Sequence, residues 1–490
     1  MNFGRYFQCK TIDKIVSEAE NSGLKRSLNA IQLIMLGIGA IIGAGIFVMT
    51  GAAASQSAGP AVVLSFVFSG FACMCAGLCY AELSSTIPVS GSSYTYIYAT
   101  LGELSAWVVA CLMIFGNILI ISSVANGWSG YAMSFLADFG VHISPIWTNT
   151  MGKLVYLRDG SEATALFNVP AFFIVAVIAY ILYHGIRTSA AVNSITVVVK
   201  MSVLVAFVLF GIFKIDLNNW VPFIPENTGD FGRFGWSGIL GGASMVFVAY
   251  NGFDTVATAA QETKNPQRDL PIGILGALLV CTVTYTLVSI VLTGLVNYKD
   301  LDVAQPIALA VDKMNMPWFA LVVKIGALAG LTSVVLVMSY AVIRTIYVVT
   351  QDGLLPKRLA DCHNEHHTPH IATVTLGTII AFIAAILPLE QLVQLGNLCI
   401  ISIFAVVCFG ALYLHYKEPN VHRPFKCPFM PWVPIVGIVL LASIMVSMLD
   451  KRVYAYFSIL LALSVVFYFL YGRHFSVLQK ELRAEIGIEN

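Results

Sequence analysis

Lys200 lies in TSAAVNSITVVVKMSVLVAFVLFGIF, an apolar run where charge is expensive. Roughly a dozen residues flank it on either side, too many for its stem to snorkel to water. Two readings remain, a structural ion pair and a group that binds and releases a proton. Burial penalises the charge of an ammonium, which makes its protonation switchable and favours the second. A second cluster is Tyr250-Asn251-Gly252-Phe253-Asp254, also inside an apolar run. A carboxylate at bilayer depth costs about 2.5–3.5 kcal/mol on the gentler scales, so Asp254 must face a cavity, pair, or cap a helix. Capping is the favoured reading, with the carboxylate accepting from N–H groups freed after Gly252; contact with a bound solute is the other. The third is Gly37, Gly39, Gly43 and Gly45 in IQLIMLGIGAIIGAGIFVMT, residues 31–50. Each glycine costs roughly 1 kcal/mol against alanine within a helix. Close helix packing accounts for Gly37 and Gly39. A break at Gly43-Ala44-Gly45 would instead free backbone groups at mid-membrane depth, tolerated only beside protein or a water-filled cavity.

Other chemistry is less well supported. Cys362, His363, His366, His367 and His370 suggest metal ligands, but Pro369 and the loop composition make convergence on one ion improbable, and no metal or other cofactor is expected. The chain contains neither a GxxxxGK phosphate loop nor a nucleophile elbow, which argues against ATP-driven and hydrolytic activities. No enzyme is expected.

The elements that must position these residues are membrane helices. The 490 residues are 58% hydrophobic and 11% charged, with mean hydropathy +0.82, against about 25% charged in soluble domains. Net charge +1 argues against a nucleic-acid partner. The scattered cysteines read as small packing residues. The first thirty residues are polar, and no cleavable signal peptide is expected. About twelve apolar runs follow, from 31–56 to 452–472, and the lysine and arginine bias of the loops places both termini inside. The two interrupted runs are the first and the sixth, the same position in two five-helix halves, 31–215 and 236–416. Corresponding broken helices in two halves point to a solute site built on an inverted repeat. Residues 1–30 form an N-terminal segment, 430–472 two appended helices and 473–490 a tail. The expected fold is therefore an all-α polytopic membrane protein of about 12 transmembrane helices, a 5+5 inverted repeat with helices 1 and 6 broken.

Four motifs carry a family resemblance in the right order: LKRSLNAIQLIMLGIGAIIGAGIFVMTG, YAELSSTIPVSGSSYTYIYATLGEL, GFDTVATAAQETKNPQRDLPIGI and IGALAGLTSVVLVMSYAVIRTIYVVTQDGLLP. Together, from Leu24 to about Pro388, they resemble the amino acid–polyamine–organocation (APC) transporters, and within them the cationic amino acid transporter branch. The resemblance implies a substrate amino acid held between broken helices 1 and 6. Ile41, Ile42, Gly43, Ala44, Gly45 and Ile46 would hold its carboxylate and amine through main-chain groups, and Val248, Ala249 and Asn251 would offer carbonyls to its ammonium. Lys200 matches a lysine that stands where sodium-coupled relatives hold Na⁺, which implies proton coupling. Glu82 and Glu262 fall on ends that move during alternating access; helix caps and solvated loop are the competing reading. Glu103 matches a family acid, and its place suggests a helix-end role.

This sequence also departs from the pattern. Ala44 stands where serine or threonine is frequent, so main-chain N–H groups must bind the carboxylate. Val248 replaces a common aromatic lid. Gly116, beside Asn117, replaces a glutamate, which removes a two-residue proton relay. Asn251 is polar where relatives are often apolar, which would admit a polar substrate side chain. Leu331 is a candidate size filter, and Lys324 reads as a snorkelling or cavity-rim residue. The expected function is proton-coupled amino acid import across a bacterial inner membrane, with an exchanger that needs no proton as the alternative. The expected partners are an amino acid, a proton and the lipid bilayer; no oligomeric state is assigned.

Overall fold

The computed structural model describes residues 6–12, 15, 26–157, 161–184, 190–303, 305–361, 368–448 and 451–485. Among the described helices, those on the apolar runs are, in chain order, α1 Ala30–Ile41, α2 Val62–Thr86, α3 Glu103–Asp138, α4 Val169–Tyr183, α5 Ala190–Gly211, α6 Gly235–Val246, α7 Pro266–Leu295, α8 Pro317–Gln351, α9 His370–Ile386, α10 Leu389–Lys417, α11 Trp432–Val446 and α12 Lys451–Phe467. Seven described helical stretches are long and apolar enough to cross a membrane, and α1, α4, α9 and α11 are shorter apolar helices. This is an all-α polytopic membrane protein. The described strands are one short hairpin, Leu154–Tyr156 with Glu162–Thr164, between α3 and α4.

Local chemistry starts these helices where the sequence allows. Asn29 and Gln32 form a reciprocal cap, each side chain accepting from the other's backbone N–H at 3.0 Å, which fixes the start of α1. Proline stands at the first position of α7 and α8, where no intrahelical N–H bond is lost. Asn168 caps α4 by accepting from the Ala171 N–H. Side chains such as Phe213, Trp236 and Leu470 are largely exposed, as expected of a surface that faces lipid rather than water.

Packing brings α2 against α7, α3 against α8 and α10, α4 against α9, and α1 against α5 and α7. The first apolar run is not one helix. α1 ends at Ile41, Ile42 is extended (ψ 102°), and a second half begins at Gly45–Met49, wound as a π-helix. The sixth run is interrupted as well. After α6 a 3-10 turn spans Phe247–Tyr250, Asn251 is extended (ψ 135°), Gly252 takes φ +117°, and Thr255–Thr258 resumes the helix. Only a residue lacking Cβ holds that φ without strain.

The glycines do two jobs. A Cβ on Gly37 would strike Ala277 of α7, which is close packing. At the crossing of the two interrupted runs, a Cβ on Gly45 would lie 2.2 Å from the Ala249 Cα, and one on Gly252 2.9 Å from the Ala40 carbonyl carbon. The break in the first run falls slightly earlier than its glycines suggested, at Ile42-Gly43. Gly45 already belongs to the second half, where it permits backbone contact.

Candidate functional site

Both interruptions free carbonyl groups at the centre of the bundle, and specific side chains take them up. The Lys200 Nζ donates to Gly39 O at 2.7 Å, in the last turn of α1, and to Ile42 O at 2.9 Å, in the break. Lys200 is fully buried, with its stem against Gly330 of α8. The Tyr285 hydroxyl of α7 lies 3.0 Å from Ile41 O and 2.9 Å from Ala249 O, one from each interrupted run. Tyr131 donates to Phe47 O at 2.8 Å and steadies the second half of the first run. The first N–H groups of that half have no partner within it, which gives the break a positive end.

Beside the break lies a cavity of about 10 Å³, close to the volume one water needs. Ile41, Gly43, Ala44, Gly45, Val248 and Asn251 line it, so these six expected residues converge. Ala40 joins them, with Ile120 and Val124 from α3 and Val334 and Met338 from α8.

The other expected residues are placed elsewhere. Ile42 meets Lys200 through its carbonyl, Ile46 gives its carbonyl to the Thr50 hydroxyl, and Ala249 abuts Gly45 and Tyr285. Leu331 is buried outside the cavity wall; Val334 and Met338, further along the same helix, form the wall instead. Composition gave no signal for Ile120, Val124, Val334 or Met338, because they are apolar residues on apolar helices. Tyr285 was missed too, though a tyrosine among Thr282, Thr284 and Thr286 in mid-span is a polar signal of the kind that marked Lys200.

The acids fall into separate structural settings. Asp254 lies among the backbone N–H groups of Gly252, Asp254 and Thr255, but none is aligned as a side-chain cap bond of the short helix it precedes. Glu82 is not in solvated loop: it is buried, ion-paired with Arg423 Nε at 3.1 Å, and accepts from the Cys427 N–H. Arg423 also donates to Leu414 O and Glu418 O, tying the end of α10 to α2. Glu262 pairs with Arg344 at 3.1 Å, and its carbonyl accepts from the Ser27 and Leu28 N–H groups. Glu103, at the first turn of α3, accepts from the hydroxyls of Tyr98, Tyr468 and Ser476. Lys324 does not snorkel; it forms an ion pair with Asp138 at 2.6 Å. Asn117 donates to Met113 O of its own helix, and Gly116 packs against Cys399. Cys362, His363, His366 and His367 lie outside the described residues. The described cysteines are free thiols.

The amino acid permease profile matches residues 28–471, which spans both interrupted runs and nearly every helix of the bundle. The chain belongs to that family. Among these permeases it is 40% identical over 479 residues to the branched-chain amino acid permease BcaP of Bacillus subtilis, covering 97% of this chain and 100% of that protein. It is 38% identical to the methylthioribose transporter of the same organism, covering 97% and 99%, and 37% identical to the chloroplastic cationic amino acid transporter 9 of Arabidopsis thaliana, covering 94% and 90%. Membership of the APC superfamily, first suggested by four motifs, thus holds for the chain as a whole.

Proposed function

We propose that this permease is a secondary active transporter that imports an amino acid together with a proton. One observation carries the reading: the buried Lys200 amine is fixed to two carbonyls at the interruption of the first run, beside the cavity. An ammonium and a neutral amine can each donate to both oxygens, so both protonation states fit one geometry. A cation held there repels Na⁺. The positive end of the second half-helix suits a carboxylate, and carbonyls of the interrupted runs suit an ammonium. Substrate in this reading is gripped by its α-amino and α-carboxyl groups, and proton exchange at Lys200 accompanies the switch of access from one side to the other.

The architecture in this reading is twelve spans in a 5+5 inverted repeat with two appended helices and both termini inside a bacterial inner membrane. The pairing of α2 with α7, α3 with α8 and α4 with α9 supports it, since each helix meets its counterpart five places on. Glu82, Glu103, Asp254 and Glu262 act as anchors and gates at the helix ends. The test is radiolabelled uptake into proteoliposomes. An inward proton gradient drives accumulation in this reading, and a requirement for Na⁺ overturns it. Uptake that responds only to preloaded amino acid, and not to a proton gradient, assigns an exchanger instead. The relative named for methylthioribose makes that solute a necessary member of the substrate screen.

A further inference from the structure

Asn251 stands out in the cavity wall. The described side chains that line the cavity are otherwise aliphatic, a thioether, or absent at glycine, and none carries charge. Asn251 is 3% exposed, and its Nδ2 has no hydrogen-bond partner. The backbone explains why the amide is held there. Its N–H closes the 3-10 turn onto Val248 O, and Gly252 at φ +117° follows at once, so residue 251 is locked in the extended link between the two helical parts. Buried donors are almost always satisfied, and one left open beside a cavity is an unused recognition element.

We propose that Asn251 is the specificity-determining residue of this cavity. Resting on the amino acid reading above, the inference is that the site prefers a short, uncharged side chain with one hydrogen-bond acceptor, of the threonine type, over the isosteric hydrocarbon of valine. The walls carry no charged side chain, so a cationic substrate side chain would be buried without a counter-charge and close to the Lys200 amine. Ile120, Val124 and Val334 narrow the space beside the break, so a small side chain enters it more readily than a long one. A purely hydrocarbon side chain leaves the Asn251 amide unpaired. A hydroxyl accepts from it. A site that holds an unpaired polar group discriminates against the analogue lacking its partner.

The experiment uses the full chain in proteoliposomes and reads the ratio of threonine to valine in competition for uptake, with serine against alanine as a second isosteric pair. The expected wild-type preference for threonine is about tenfold. Asn251→Leu, close in shape and lacking the amide, should reduce the ratio to about one. Three results overturn the proposal: wild-type protein that takes valine at least as well as threonine; transporting Asn251→Leu protein that keeps the wild-type ratio, which puts the amide on the common α-carboxylate; or uptake of lysine or arginine in preference to both. The wild-type ratio needs no variant, so a misfolded Asn251→Leu protein leaves the test intact. Protein that transports no amino acid at all refutes the underlying reading rather than the role of Asn251.

Discussion

Gly45 and Ala249 meet backbone to backbone at the crossing of the two interrupted runs; a Cβ on Gly45 would stand 2.2 Å from the Ala249 Cα. Backbone cannot yield as a flexible side-chain tip can. Gly45→Ala should therefore push the runs apart, with a destabilisation of at least about 1–3 kcal/mol, the usual cost of overpacking. Gly330→Ala is the control, a glycine whose Cβ would meet its nearest atom, Lys200 Cδ, at an ordinary 3.5 Å. Thermal midpoints in detergent decide the matter: Gly45→Ala no less stable than Gly330→Ala would mean that this contact does not hold the crossing.

Replacing Lys200 by methionine keeps much of the buried stem and removes the amine from Gly39 O and Ile42 O. Uptake by Lys200→Met should lose its response to an imposed pH gradient, while exchange between preloaded and external substrate survives if the cavity stays intact. Unaltered pH-driven accumulation would remove Lys200 from coupling.

Tyr285→Phe keeps the ring and deletes the hydroxyl between Ile41 O and Ala249 O. Leaving buried acceptors unpaired costs about 1–3 kcal/mol. If that cost falls on the geometry of the break, uptake should fall by roughly 5–150-fold. Tyr250→Phe deletes a bond to Phe66 O, away from the cavity, and should alter stability more than transport. Equal transport losses in the two variants would deny Tyr285 a special place.

Glu82 and Arg423 form a buried ion pair linking α2 to the segment after α10. Breaking such a pair from one side leaves an uncompensated charge, at a cost of about 3–5 kcal/mol. Glu82→Gln and Arg423→Met should each lower the thermal midpoint clearly. The double variant should be more stable than the two losses summed predict, because neither charge is then stranded. Strict additivity would show that the two side chains are energetically independent.

The helical membrane class, the interruption of the first and sixth runs and the burial of Lys200 were legible in the sequence. Each depends on a residue type that is costly where it stands: glycine inside a helix, a charge inside an apolar run. Such costs are local and leave a mark on the chain. The walls of the cavity left no mark, because Ile120, Val124, Val334 and Met338 have the same composition as lipid-facing neighbours, and only the packing of α3 and α8 turns them inward. Partner choice was equally hidden. Lys324 looked like a snorkelling stem until Asp138 was brought beside it, and the Arg423 partner of Glu82 lies hundreds of residues along the chain. Sequence determined which groups were expensive to bury; tertiary structure alone decided what each of them meets, since contacts between distant segments depend on how helices pack and not on the order of residues within them.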